Sequence, residues 1–280
     1  MLKKTHIIIK KFIKNYKKLN KKEKKILSMY KGNYYRIINE YLTDGNVSFK
    51  NLESYFMDKF KEVTLVENNN SEKKNIFNLM NLFEEYNENI NEEIDLLDGI
   101  ITKYGEKTNV VTYRGITENK ERKKNFYKEI IKASKKKGNK IFVKNFQSTS
   151  LDVIVSEGFS DWGYSKGILL EIETNDIPYF YLPWNINIGK LKKEKIYGSE
   201  FELLLPRNIE MEYIGKKKIK TDRNMQKNWN NYNRDGHRLK DLYIYKFKIT
   251  EIKEEKEKKE EKQKNIEIPI KLLKKLYYIN

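Results

Sequence analysis

Hydrophobic patterning changes character at Gly105, and nothing else in the chain constrains the fold as strongly. Before it, apolar residues recur at helical spacing. Leu27, Tyr30, Tyr34, Ile38 and Tyr41 form one stripe that Asp44-Gly45 stops. "LESYFMDKFKEV", "IFNLMNLFEEY" and "NEEIDLLDGIITKY" repeat the pattern. After it come short runs rich in β-branched and aromatic residues: "NVVTYRG", "KIFVKNF", "GILLEIE", "FELLLP", "IEMEYI" and "LYIYKFKITEI". One helix interrupts them, near Asn125 to Ala133, closed by a lysine run and Gly138. Helices first and short strands afterwards predict an α+β fold. Long polar connections separate the strands, and such connections often carry function.

The residues available for chemistry are few in kind. The chain has no cysteine, which excludes disulfides, iron–sulfur clusters and thiolate zinc sites. Its two histidines, His6 and His237, have no carboxylate at metal-ligand spacing, so neither a histidine metal site nor a Ser-His-Asp triad is expected. Glycine-rich nucleotide loops and HExxH are absent as well. Carboxylates, hydroxyls and arginines are left to do whatever is done.

Charge is distributed unevenly. Of a formal +18, eleven charges fall within residues 1–31, where twelve lysines face Glu23 alone. Ile9, Phe12, Ile13 and Tyr16 stand there at helical spacing, which predicts a basic amphipathic helix. An acidic partner, nucleic acid or an anionic membrane surface all suit such a segment, as does plain solvation. "THIII" is too short and too interrupted by charge for a signal-peptide core, and no stretch is long enough to span a bilayer.

"YGSEFELLLPR", residues 197–207, sets two glutamates one residue apart at the mouth of an apolar run. In an extended strand Glu200 and Glu202 share a face, with Phe201, Leu203 and Leu205 on the opposite, core-facing side. Protection of an edge strand is one explanation for such charges. A paired acid in a reaction centre is another.

Two further motifs decide between them. "YRG" (Tyr113-Arg114-Gly115) ends a strand, "FQSTS" (Phe146 to Ser150) follows, and "EFE" comes third. In this order they resemble the Arg–Ser–Glu class of mono-ADP-ribosyltransferases, which includes the enzymatic components of bacterial binary toxins. "LNKKEKKILSMYKGNYYRIINEYL", "LLDGIITKYGEKTNVVTYRGI" and "GILLEI" resemble flanking parts of the same family, so the likeness covers about residues 19–252. It implies a helical part (19–105), then a mixed or antiparallel β-rich core (106–252) whose two facing sheets enclose an NAD cleft. Residues 1–18 would be a basic arm and 253–280 a charged linker and tail.

The resemblance also implies roles. Arg114 anchors the diphosphate of NAD, and Glu202 stabilises the cation that develops on the ribose as nicotinamide leaves. Ser148 holds Glu202 in orientation, while Thr149 and Ser150 shape the turn. Glu200 orients the acceptor and draws off its proton, which favours an arginine as acceptor; a Gln there would direct the enzyme elsewhere. Gly115, Asn145 and Phe159 contact NAD, and Tyr197 contacts the target protein or packs. NAD is the co-substrate, no metal is required, and the partner is a protein with an accessible arginine. Relatives are often exported toxins, yet no classical signal is present; delivery by another route and action inside the producing cell both stay open. Two other readings stand beside the transferase: an NAD glycohydrolase, and a non-catalytic basic binding protein recruited through residues 1–31.

Overall fold

Alternation of apolar and charged residues in "IEMEY" and "YKFKIT" builds the longest strand pair among the described residues, antiparallel β7 (Ile209–Ile219) and β8 (Leu242–Ile252). Ile209, Met211 and Tyr213 bury one face of β7, and Phe247 and Ile249 bury the matching face of β8. Glutamates and lysines fill the other face. The computed structural model describes residues 2–45, 90–117, 121–159, 167–182, 201–219 and 242–253. The segments "LESYFMDKFKEV" and "IFNLMNLFEEY" and the tail 254–280 lie outside them.

The chain forms two compact units, residues 1–19 with 100–254, and residues 20–99 with 255–280. The first holds an eight-stranded sheet in the order β2-β7-β8-β4-β1-β3-β6-β5. Its other strands are β1 (Val111–Thr117), β2 (Lys140–Val143), β3 (Gln147–Ser150), β4 (Gly167–Glu173), β5 (Phe180–Leu182) and β6 (Glu202–Leu205). Among the described strands only β4 and β8 run parallel. Helices precede most strands, as the change at Gly105 predicts.

Helix α1 (Leu2–Lys18) packs its apolar face into this unit: Ile9, Phe12 and Tyr16 are buried, and the Phe12 ring meets Phe180 and Tyr181 edge-on. Burial raises the Tyr16 phenol pKa. Lys11 reaches Glu106 at 2.6 Å, and Asn15 donates to the Tyr104 carbonyl at 2.8 Å. At Gly105 the chain leaves a helix to bridge Glu106 with Tyr179. A Cβ there would lie 2.2 Å from the Ile101 carbonyl oxygen, so only glycine fits.

The charged face of the sheet is neutralised strand by strand. Glu173 on β4, Lys248 on β8, Glu212 on β7 and Lys140 on β2 form one cross-strand row of alternating sign. Lys246 meets Glu171 at 2.7 Å and Lys248 meets Glu212 at 3.3 Å. Glu210 accepts from both Lys140 (2.5 Å) and Lys253 (2.6 Å), with Lys140 the larger influence, and together they lower its carboxyl pKa from 4.5 to about 2.

In the second unit, Asn20 and Glu23 close a capping box on α2 (Lys21–Met29). The stripe from Leu27 to Tyr41 is not one continuous helix. A kink within Tyr30–Tyr34, with Gly32 outside helical geometry, joins α2 to α3 (Tyr35–Asp44), and Gly45 at φ +71° ends it. Leu27, Tyr30, Tyr34 and Ile38 are nevertheless all buried on the two sides of the kink. Residues 90–104, divided between the two units, form helix α4, in which Ile94, Leu97 and Ile101 are buried. No helix among the described residues is long and apolar enough to cross a membrane.

Candidate active site

The sheet is nearly two sheets. Strands β1 and β4 pair along seven residues, but β1 and β3 are joined through one pair alone, Tyr113 with Ser150. Past that pair a β3 carbonyl no longer meets a β1 backbone N–H. The Arg114 side chain takes over, with Nη1 donating to the Ser148 carbonyl oxygen at 2.6 Å. A half-buried guanidinium tethered along one edge presents its fork in a fixed direction.

The opposite edge of β3 carries β6. Ser150 stands across from Glu202 and Ser148 across from Leu204. Leu151 N–H donates to the Phe201 carbonyl, so the odd-numbered residues of this segment bond to β6. Ser150 and Glu202 therefore form a non-hydrogen-bonded pair, the kind whose Cα atoms approach to about 4.5 Å with side chains closest. Ser148 lies on the diagonal, one pair further along the same face. Both Ser150 and Glu202 are buried.

Ser150 does two things. Its hydroxyl oxygen accepts from the Asp152 amide at 2.9 Å, and Asp152 Oδ1 then accepts from the Ile154 amide, which starts α6 (Val153–Gly158). The turn-shaping role expected from sequence is thus present, and the seat opposite Glu202 comes in addition. Thr149 donates to the Leu203 carbonyl at 3.1 Å and locks β3 to β6. Ser156 of α6 donates to the Tyr113 carbonyl at 2.9 Å and holds that helix against β1.

Two expectations about the glutamate segment are corrected. Strand β6 lies between β3 and β5, so its charge does not guard an edge. All four residues from Glu202 to Leu205 are buried, on both faces, because the strand is interior. Nor is the chain extended through Phe201, whose φ is +42°. That conformation costs a bulky residue roughly 1–3 kcal/mol, and the strand alternation assumed for residues 200–202 fails there. Glu200 and Tyr197 themselves lie outside the described residues.

Gly115 is buried beside Leu169 in the β1–β4 ladder. Asn145 accepts from Gln147 Nε2 at 2.7 Å through Oδ1, so a fully buried neighbour fixes its amide. Phe159 follows α6 and is 56% exposed. Tyr113 stands beside Arg114 without a role read from the sequence. It faces Ser150 on one side and Glu171 on the other, and its phenol pKa is raised, chiefly by burial and then by Glu171. Among the described residues no group of three or more histidines and carboxylates is placed to hold a metal ion.

A family model described as ADP-ribosyltransferase exoenzyme matches residues 9–240. The chain belongs to this family. No curated protein sequence matches it significantly. Among solved structures, it is similar to Plx2a, an ADP-ribosyltransferase toxin from Paenibacillus larvae, at 16% identity and a TM-score of 0.51, over 89% of this chain and 96% of that one. The C2-I enzymatic component of the Clostridium botulinum C2 toxin is 15% identical with a TM-score of 0.53, over 89% of this chain and 47% of that one. The chain thus spans about half the length of C2-I. BECa of a C. perfringens binary enterotoxin, solved with NADH, is 15% identical with a TM-score of 0.50, over 89% of this chain and 48% of that one. At such identities the likeness establishes the ADP-ribosyltransferase fold: N-terminal helices followed by a mixed, largely antiparallel sheet.

Proposed function

We propose that this member of the ADP-ribosyltransferase exoenzyme family cleaves NAD and transfers ADP-ribose to an arginine side chain of a protein. The observation that carries the reading is the single-pair junction of β1 and β3. There a tethered Arg114 and the buried Ser150–Glu202 pair flank the same strand, β3.

In this reading Arg114 pairs with diphosphate oxygens of NAD. The bond between C1′ of the ribose and the nicotinamide nitrogen breaks, nicotinamide leaves neutral, and positive charge spreads over C1′ and the ring oxygen. The Glu202 carboxylate faces that charge and accepts from the 2′-hydroxyl. A guanidinium nitrogen of the acceptor then bonds to C1′, and its proton passes to Glu200 and on to solvent. Arginine is protonated at neutral pH, so a base at that point is what makes it a nucleophile. Gly115 and Asn145 line the nicotinamide side, Phe159 stacks on the exposed ring, Ser148 supports Glu202 along the diagonal, and Tyr197 meets the target. No step requires a metal.

Incubation with labelled NAD and a cell lysate tests this. Label transfers to protein with the native chain and not with Glu202→Ala. Glu200→Gln keeps much of the nicotinamide release while losing label, which separates transfer from hydrolysis by water. A lysate left unlabelled by the native chain contradicts the proposal.

A further inference from the structure

The lysines of the sheet divide into two populations. Lys140, Lys246, Lys248 and Lys253 are each held by a glutamate. At one corner the pattern breaks. Helix α5 (Glu121–Ala133) ends in the turn Lys135-Lys136-Lys137, and Gly138 N–H then donates to the Tyr213 carbonyl on β7 at 2.9 Å. Just beyond Tyr213, the same strand carries Lys216 and Lys217. Lys132, Lys135, Lys136, Lys137, Lys216 and Lys217 are all exposed, and among the described residues none has a carboxylate partner. Lys216 instead lies over the Tyr243 ring, 5.0 Å from its centre.

Edge protection explains only part of this. Strand β2 covers β7 from Ile209 to Glu212, so Lys216 and Lys217 sit where that edge is open, and lysines there discourage strand addition. The turn triplet and Lys132 guard no edge. Six uncompensated charges at one corner repel one another and persist at a cost to folding.

The corner also has a fixed relation to Arg114. Arg114 pairs with Leu170, Leu170 with Tyr245, and Tyr245 with Lys216, one row across four strands with its side chains on one face. Three inter-strand steps of about 4.8 Å put Lys216 about 14 Å from the arginine position. A protein bound over the site is large enough to reach this corner.

We propose that the Lys135–Lys137 turn and Lys216–Lys217 form a docking surface for an acidic patch on the protein substrate. It steers that substrate so that an arginine near the patch enters the site. This rests on the protein-directed reading above. A protein is favoured over nucleic acid as occupant because the transfer reaction proposed above already brings a protein to this chain.

Two synthetic peptides test the proposal, each with one arginine and a spacer of about five residues, long enough to cover the distance. One ends in a run of glutamates, the other in serines. In low salt the acidic peptide should be modified with a kcat/KM about tenfold above the neutral one. That advantage should vanish in the triple variant K135E/K136E/K137E and in K216E/K217E, while nicotinamide release from NAD without peptide stays at the native level in both. Equal kcat/KM for the two peptides with the native chain overturns the proposal, as does an advantage that survives both charge reversals. If neither peptide is modified, arginine transfer is what has failed, and anisotropy of the same labelled peptides still reads the surface. Tighter binding of the acidic peptide, lost in both variants, supports it; equal binding refutes it. A single-stranded RNA oligonucleotide that displaces the acidic peptide and binds more tightly than it overturns the proposal in favour of nucleic acid.

Discussion

Removing the charge of Glu210 should take away one acid-sensitive contribution to stability. Glu210 sits where β2, β7 and β8 meet and takes hydrogen bonds from Lys140, Lys253 and Thr250. Its pKa falls from 4.5 to about 2 in the fold. At about 1.4 kcal/mol per unit, that difference is worth at most about 3 kcal/mol. Glu210 itself is buried, but the side chains of Lys140 and Lys253 are 51% and 44% exposed, so solvent screens the pair. A discounted value of roughly 1–2 kcal/mol is therefore expected. The sign follows from the direction of the shift. A depressed carboxyl pKa gives stability that is fully present above pH 4.5 and is lost as pH falls toward 2. Urea unfolding followed by far-UV circular dichroism, at steps from pH 7 to pH 2, compares native chain with Glu210→Gln. The native chain should be the more stable by that margin at pH 7, and the two should converge near pH 2. A gap that stays constant over the whole range would show that Glu210 contributes through packing and not through its charge.

Arg114→Lys replaces a rigid fork by a point charge and should raise the KM for NAD roughly 10- to 100-fold in a nicotinamide-release assay; an unchanged KM would remove Arg114 from the site. Glu202→Gln should lower kcat for NAD cleavage by about 10²–10³ with little change in folding, read by the same assay and a thermal melt. Because Ser150 and not Ser148 stands opposite Glu202, Ser150→Ala should reduce nicotinamide release more than Ser148→Ala does. Gly105→Ala places a methyl against the Ile101 carbonyl and should destabilise the chain by about 2–3 kcal/mol in urea, whatever its effect on activity.

Much of this protein is written locally. Helical spacing up to Gly105, the Asn20–Glu23 capping box and the strand runs after it depend on neighbours a few residues apart. So does the presence of Arg114 on a strand, a serine-rich turn and an acidic strand opening, in that order. Those are properties of short windows, and a sequence displays them. The kink at Gly32 was less visible, since a lone glycine inside a helical stripe is also tolerated without a break.

Pairing between distant segments is another matter. Glu202 meets Ser150 and not Ser148 because β3 and β6 settle into one register across more than fifty residues, and a two-residue slip would leave the same faces buried. Strand β6 became interior only when β5 paired with its far side, which removed the edge-strand explanation of its glutamate. The open junction at Tyr113–Ser150 and the lysine corner beside Tyr213 arise the same way, from strands that stop pairing. Sequence alone determined which side chains are available and the order in which they come. Only the tertiary structure decided which of them face each other, because cross-strand register is chosen by the fit of whole buried faces and leaves no trace in any one segment.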